Sequence, residues 1–425
     1  MSEMSDPRKP GMITYELPHL LWAGALMFIL RLKSRRQLKK ESETDVFLAN
    51  LLSLSGTSEE SVAVPDTLNY LMERLNVDEL ESLKVKAVKR LIKERRFDPF
   101  RFNGGLRVAI DGTRLYSFNH QHCEHCLKQE HKDKPTTWSH DMLEAKLVCE
   151  NGLAISLLSE PVQNESEKYD KQDCELKAFY RLAKRLRATY PRTSLCLLLD
   201  GLYACEEVLR ICRENHWSYF IVLKKGSIPT LYKRVMEERN AHPENSLEAV
   251  SNAGMTQKLS WVTYVKYRSM YFHVVICEEC VEGEEQGKTW VWITDAEPCA
   301  GNINELVNKG GRQRWKIENQ GFKEQKRDDF ELEHLYGETP TAWRNYYQLM
   351  QIAHMLDQLM RYGDVCVKLQ EKSPERGNKP ILPFREYYQS TRNFIRRLAE
   401  SFRRDLFSIL ASELPGKIQI RFNSS

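Results

Sequence analysis

The sequence predicts an α/β fold, a mixed sheet flanked by helices and preceded by a helical N-terminal region. Three observations lead there. Between Leu106 and Leu223, short apolar runs of strand length alternate with amphipathic helical runs. Before that stretch, Leu68, Leu71 and Leu75 and then Val77 to Arg96 carry apolar residues at helical spacing, with Asp66-Thr67 as the expected cap. Over the 425 residues, hydrophobic residues at 41% and charged residues at 29% match a globular chain, which excludes wholesale disorder.

The strands come in a telling order. Leu106-Arg-Val-Ala-Ile-Asp111 is the first, and Asp141 to Leu158 supplies two more around the turn Glu150-Asn151-Gly152. A helical run from Cys174 to Tyr190, stopped by Pro191, leads to Ser194-Leu-Cys-Leu-Leu-Leu-Asp200. That run is apolar on both faces, as a buried parallel strand must be. A helix from Ala204 to Asn215 and a strand from Tyr219 to Leu223 follow. Three antiparallel strands and then alternating helices and parallel strands is the order of a ribonuclease-H-like core, in which the first and fourth strands are neighbours. Asp111 and Asp200 would then lie side by side at strand ends. Each precedes a glycine, expected to let the backbone turn away and expose the carboxylate.

Residues 225–299 read as a β-rich insertion, with strands over Lys258 to Cys277 and Trp290 to Thr294 separated by the charged turn Glu282 to Lys288. Helical pattern resumes at Ile303, breaks at Gly310-Gly311 and restarts from Arg312 to Lys326. The expected organisation is a helical region over 1–105, a core in two parts over 106–224 and 300–375, the insertion between them, and a basic helical region over 376–425.

The apolar run Leu17 to Leu30 is interrupted by Pro18 and His19 and falls short of the roughly 18 to 20 residues that cross a bilayer, so it reads as a buried helix. Eleven cysteines, an odd number, argue for reduced thiols and a cytoplasmic location. The net charge of +4 is small, but Arg31 to Lys40 carries six basic residues and no acid. Lys84 to Arg96 and the series Arg392, Arg396, Arg397, Arg403 and Arg404 repeat the theme. Such stripes suit a polyanion.

Two aspartates can hold one divalent ion, whereas phosphodiester chemistry often employs two about 3.5 to 4 Å apart, which calls for a third carboxylate. Glu318 qualifies, since an ideal helix would put it on one face with Arg314. In the same segment Glu333, within Phe330-Glu-Leu-Glu-His334, is the alternative acid. A second pattern lies between the first two strands, where Cys123-Glu-His-Cys126 has structural-zinc spacing, the alternative being a polar loop that approaches DNA. Its remaining ligands would come from His120, His122, His125, His131 and His140, with His131 the first choice, and Cys277-x2-Cys280 is a weaker alternative source. Trp343, Tyr346 and Tyr347 fall at helical spacing with apolar neighbours and read as core.

In Val108-Ala-Ile-Asp111-Gly-Thr, Leu197-Leu-Leu-Asp200-Gly-Leu-Tyr and Arg314-Trp-Lys-Ile-Glu318-Asn-Gln-Gly-Phe322, the chain resembles the DDE transposases of bacterial insertion sequences, in the branch marked by Tyr-x2-Arg-x3-Glu-x6-Lys. The resemblance implies Asp111, Asp200 and Glu318 as a triad binding two Mg²⁺ ions, with Mn²⁺ as a substitute. It also implies that Arg314 touches DNA phosphate, that double-stranded DNA ends and target DNA are the partners, and that a homodimer acts in the nucleoid with no membrane involved. Cleavage at the element's end would be followed by attack of the freed 3′ hydroxyl on target DNA. The chain departs from the signature twice, with Gly311 in place of the tyrosine and Gln325 in place of the lysine. Lys326 follows one residue late, about 80° around an ideal helix from Glu318, and would reach the DNA through its long stem. A nuclease without strand transfer, and a DNA-binding protein that has lost catalysis, are the competing readings on the same core.

Overall fold

A computed structural model describes residues 4–166, 168–251, 254–279, 287–372, 380–405 and 420. The chain divides into two compact units, one formed by residues 1–96 with 320–425 and the other by residues 97–319.

The first unit is helical. It opens with α1 (Leu17–Ile29), α2 (Arg35–Glu41), α3 (Asp45–Ser55), α4 (Pro65–Met72) and α5 (Val77–Lys93). Helix α1 is the apolar run recognised in the sequence, and it is buried nearly all round, which is why it carries no polar face. No helix among the described residues is long and apolar enough to cross a membrane. Helix α4 begins earlier than expected, because Pro65 fits the first turn and Val64 takes the cap position; Asp66 thus lies inside that turn, where its negative charge is favourable to the positive end of the helix dipole, and does not cap it.

The second unit is built on a ten-stranded sheet. In chain order come β1 (Leu106–Phe118), β2 (Leu127–Gln129), β3 (Thr137–Val148), β4 (Ala154–Val162), α6 (Glu175–Thr189), β5 (Leu195–Leu199), α7 (Glu206–Glu214), β6 (Ser218–Val222) and α8 (Pro229–Ala241). The long strands β7 (Ser246–Val250), β8 (Thr256–Tyr267), β9 (Met270–Glu279) and β10 (Lys288–Thr294) follow, and then α9 (Ile303–Glu305). The spatial order is β2-β3-β1-β5-β6-β10-β9-β8-β7, with β4 paired to the far part of β3. Strands β1, β5 and β6 are parallel, and the other pairings are antiparallel. Strand β5 is buried along its whole length, as its unbroken apolar run requires. Each such side chain removed from water contributes about 1.5 to 3 kcal/mol.

The β-rich stretch 225–299 holds β7 to β10, and because β10 pairs with β6 over Trp292↔Val222, Ile293↔Ile221 and Thr294↔Phe220 it extends the same sheet. Helix α8 and strand β7 within this stretch went unread, α8 because its surface is largely polar and its buried stripe is only Leu231 and Val235. The region 300–375 divides between the units. After residue 320 the chain runs through α10 (Lys323–Arg327), α11 (Pro340–Tyr362), α12 (Val365–Lys372), α13 (Phe384–Tyr388) and α14 (Thr391–Arg404). Helix α11 packs against α1, α4 and α5, and its buried Trp343, Tyr346 and Tyr347 are core residues as expected.

The basic stripes are partly internal. Lys84 is buried and donates to Gln348 Oε1 at 3.0 Å. The Arg31 side chain is 6% exposed, pairs with Asp357 and lies 3.4 Å over the Phe330 ring. Lys86, Lys89, Arg90, Lys93 and Arg95 remain as an exposed basic face of α5 and the turn after it.

Candidate active site

Strands β1 and β5 pair in parallel from Leu106↔Leu195 to Ile110↔Leu199. The next residue on each strand is an aspartate, so Asp111 and Asp200 stand abreast on neighbouring strands, whose usual separation is about 4.8 Å. They differ in backbone setting. Asp200 ends its strand, and Gly201 opens a single 3-10 turn while donating its N–H back to the Asp200 carboxylate. Asp111 does not end β1, which continues through Gly112 to Phe118 and stays paired with β3, Asp111 facing Glu144 in the register.

Gly112 therefore serves another purpose than turning the chain. A Cβ there would sit 2.3 Å from Glu175 Oε1, so the missing side chain leaves the space that the Glu175 carboxyl occupies at the start of α6. Sequence reading missed this third acid. Glu175 is recognisable only once the helix following β4 is known to begin beside β1.

The three acids sit in different fields. Burial raises Asp111 above the usual carboxylate range, and the neighbouring Asp200 adds to the effect against the opposing pull of Arg314. Burial raises Glu175 too, and Asp111, Asp141 and Asp200 all push in the same direction. For Asp200 burial is outweighed by Lys224, by the Gly201 N–H and by Arg314, and its carboxyl is held below the ordinary value. Lys224 Nζ lies 2.8 Å from Asp200 Oδ1 and 3.0 Å from Oδ2. It was also missed, although a cation directly after β6 at the carboxyl ends of parallel strands is where such sites form. Arg314 Nη1 donates to Asp111 Oδ2 at 3.0 Å.

Arg314 comes from a segment that is not the ideal helix assumed from its sequence. After α9 the backbone forms a π-helical turn over Leu306–Gly310, a 3-10 turn over Gly311–Arg314 and a second π-helical turn over Ile317–Phe322. Of these, the π turns are uncommon and concentrate at functional sites. Glu318 lies on the second π turn and is exposed, as is Trp315, which meets Trp290 edge-on.

The two departures from the signature have physical causes. A Cβ on Gly311 would lie 2.6 Å from the Trp292 ring on β10, so no tyrosine fits there. Gly311→Ala is expected to lower stability by about 1 to 3 kcal/mol through overpacking, measured by urea unfolding. Unchanged stability would mean that Trp292 has room to retreat. Gln325 is buried in the helical unit and exchanges amide hydrogen bonds with Gln351 at 2.9 and 3.3 Å. Lys326 is bound to Glu333, the alternative acid, at 2.8 Å. These two residues neutralise one another.

The zinc reading also changes in detail. His131 Nε2 is engaged by Thr137 Oγ1 at 3.0 Å, and it is His140 that approaches Cys123 and Cys126. Cys277 is buried in β9, and Cys280 lies outside the described residues.

No protein-family model matches this chain, and no curated protein is significantly similar to it.

Proposed function

We propose that the chain is a DDE-type DNA transposase that cleaves at the ends of an insertion element and joins them to target DNA. The observation that carries the reading is the parallel register that sets Asp111 and Asp200 side by side directly after Ile110 and Leu199. The strand pattern supports a ribonuclease-H-like core, since the antiparallel strands β1, β3 and β4, with the three-residue β2 on the edge of β3, precede β5, and β5 lies beside and parallel to β1.

The donor set fits hard divalent cations. Asp111 and Asp200 offer carboxylate oxygens, the donors that Mg²⁺ and Mn²⁺ take. Asp111 is raised by burial and by its like-charged neighbour, a field that a bound cation relieves. Asp111 and Asp200 would hold the ions, with Glu318 as the third ligand that the resemblance implies, and the ions when bound would supply charge stabilisation for an in-line displacement at phosphorus. The chain's own groups do the rest. Arg314 presents a planar fork suited to a phosphate oxygen, and the Asp111 contact holds it in the site. Lys224 stands on the other side at Asp200, the second cation available to the DNA backbone.

A second reading has its own support. With Gly311 packed on Trp292 and Gln325 buried, neither signature contact is made by its usual residue, which favours a transposase-derived protein that binds DNA without cutting it. One experiment separates the readings: incubation with a DNA fragment carrying the flanking terminal inverted repeats and Mg²⁺ or Mn²⁺. Cleavage with joining supports the transposase. Cleavage alone identifies a nuclease, and binding alone the inactive descendant. In each case that retains binding, affinity is expected to fall steeply between low and moderate salt, as phosphate contacts by the α5 and α14 cations require.

A further inference from the structure

The connection between β1 and β3 gathers two thiols and two imidazoles. Cys123 and Cys126 form a tight turn in which the Cys126 N–H donates to the Cys123 carbonyl and the Cys123 N–H points at Cys126 Sγ, 3.4 Å away. Their sulfurs are 3.9 Å apart, far beyond the roughly 2.05 Å of a disulfide. His140, on β3, places Nε2 3.5 Å from both sulfurs.

These three separations are the edges of a metal tetrahedron. With Zn–S near 2.3 Å and Zn–N near 2.05 Å, tetrahedral angles require about 3.8 Å between sulfurs and about 3.6 Å from sulfur to nitrogen. His122 is the imidazole available for the fourth corner: its ligating nitrogen lies within 4.8 Å of those of Cys123 and His140, and it would close on Cys126 as the metal binds. Its Nδ1 is buried and has no hydrogen-bond partner, a costly state for a polar atom unless a ligand satisfies it. Phe118 stacks on the His122 ring at 4.5 Å and fixes its plane. Around the turn Asn164 closes a brace, donating to the Cys126 carbonyl and accepting from His125 Nδ1, each at 2.8 Å.

We propose that Cys123, Cys126, His122 and His140 bind one structural zinc ion. Two thiolates and two imidazoles are the donors zinc prefers, and the site is closed, with no position left for substrate. The ion ties the end of β1 to β3 close to the pair Tyr116↔His140. Asp111↔Glu144 lies four pairs along the same ladder, about 14 Å away, past the irregularity between Arg114 and Tyr116. Zinc thus anchors the ladder that carries Asp111 beyond the point where its pairing is interrupted. The site does not depend on the transposase reading.

The test is metal content of the full chain, purified under reducing conditions from zinc-supplemented cells. About one zinc ion per chain is expected, falling to background in Cys123→Ser and His140→Ala and retained in His131→Ala. Because a ligand deletion could misfold, His140→Cys is the decisive variant. It keeps four ligands, and in the cobalt-substituted protein its thiolate charge-transfer absorption should rise by about half, from two thiolates to three. The assignment is overturned by a metal-free wild type, by iron in place of zinc, by a Cys123–Cys126 disulfide in the purified protein, by loss of zinc in His131→Ala, or by an unchanged cobalt spectrum in His140→Cys.

Discussion

Asp111→Asn and Asp200→Asn are each expected to lower strand cleavage by on the order of 10³-fold or more, about 4 kcal/mol of transition-state stabilisation, with DNA binding retained. Their effects on folding should differ in sign, and this separates an active site from a structural pair. The folded protein holds Asp111 above the ordinary carboxylate range, chiefly by burial and also through Asp200. Its ionisation at neutral pH therefore opposes folding, and the asparagine removes that opposition. Asp200 is held below the ordinary range despite its burial, by Lys224, the Gly201 N–H and Arg314, so its charge favours folding and its asparagine variant should melt lower. Thermal unfolding of Asp111→Asn at or above the wild-type temperature, beside a lowered Asp200→Asn, is the expected result. A Glu175→Gln variant that also loses cleavage would add this acid to the machinery. Full activity in either aspartate variant would remove the DDE reading altogether.

Glu324→Gln should be strongly destabilising to the helical unit. Glu324 on α10 accepts from Arg361 Nη2 at 2.6 Å and lies 3.2 Å from His354 Nε2. Arg361 also binds Asp357 at 2.8 Å. Burial alone would raise the Glu324 carboxyl, yet His354 and Arg361 hold it at about 2. The difference from an ordinary 4.5 corresponds to about 3 kcal/mol. Leaving a buried partner unpaired costs a similar amount, about 3 to 5 kcal/mol. A depressed acid contributes its stability in full above its unfolded value and loses it as pH falls through the folded one. Wild-type stability should therefore drop between about pH 4.5 and about pH 2, with the glutamine variant weaker at neutral pH and flatter across that window. Urea unfolding at several pH values measures both. Parallel curves for the two proteins would assign the acid response to other carboxylates.

What the sequence made legible was local. Strands β1 and β5 announce themselves because burial on one or both faces writes a pattern within five or six residues, and the aspartates stand where those patterns stop. Glu175 and Lys224 escaped because their meaning depends on pairs far apart in sequence, Gly112 with Glu175 and Asp200 with Lys224. The imidazole beside Cys123 and Cys126 is His140 and not His131 for the same reason, since spacing cannot tell which imidazole a β-ladder will carry towards the thiols. The helical wheel drawn through Arg314, Glu318 and Lys326 failed for a local reason. Each π turn adds a residue that an α-helical wheel does not count, and neither the glycines nor the apolar spacing signals it.

Strand β10 hydrogen-bonds onto β6, and β9, β8 and β7 follow it outward as a continuation of one sheet. In engineering terms this stretch is not a removable cassette. Excising residues 223–295 would turn β6 from an interior strand into a bare edge with Phe220 and Ile221 beside unpaired amides, a template for sticking to other chains. Any minimal version of this protein that keeps the two aspartates must keep the meander as well, or supply another strand to seal that edge.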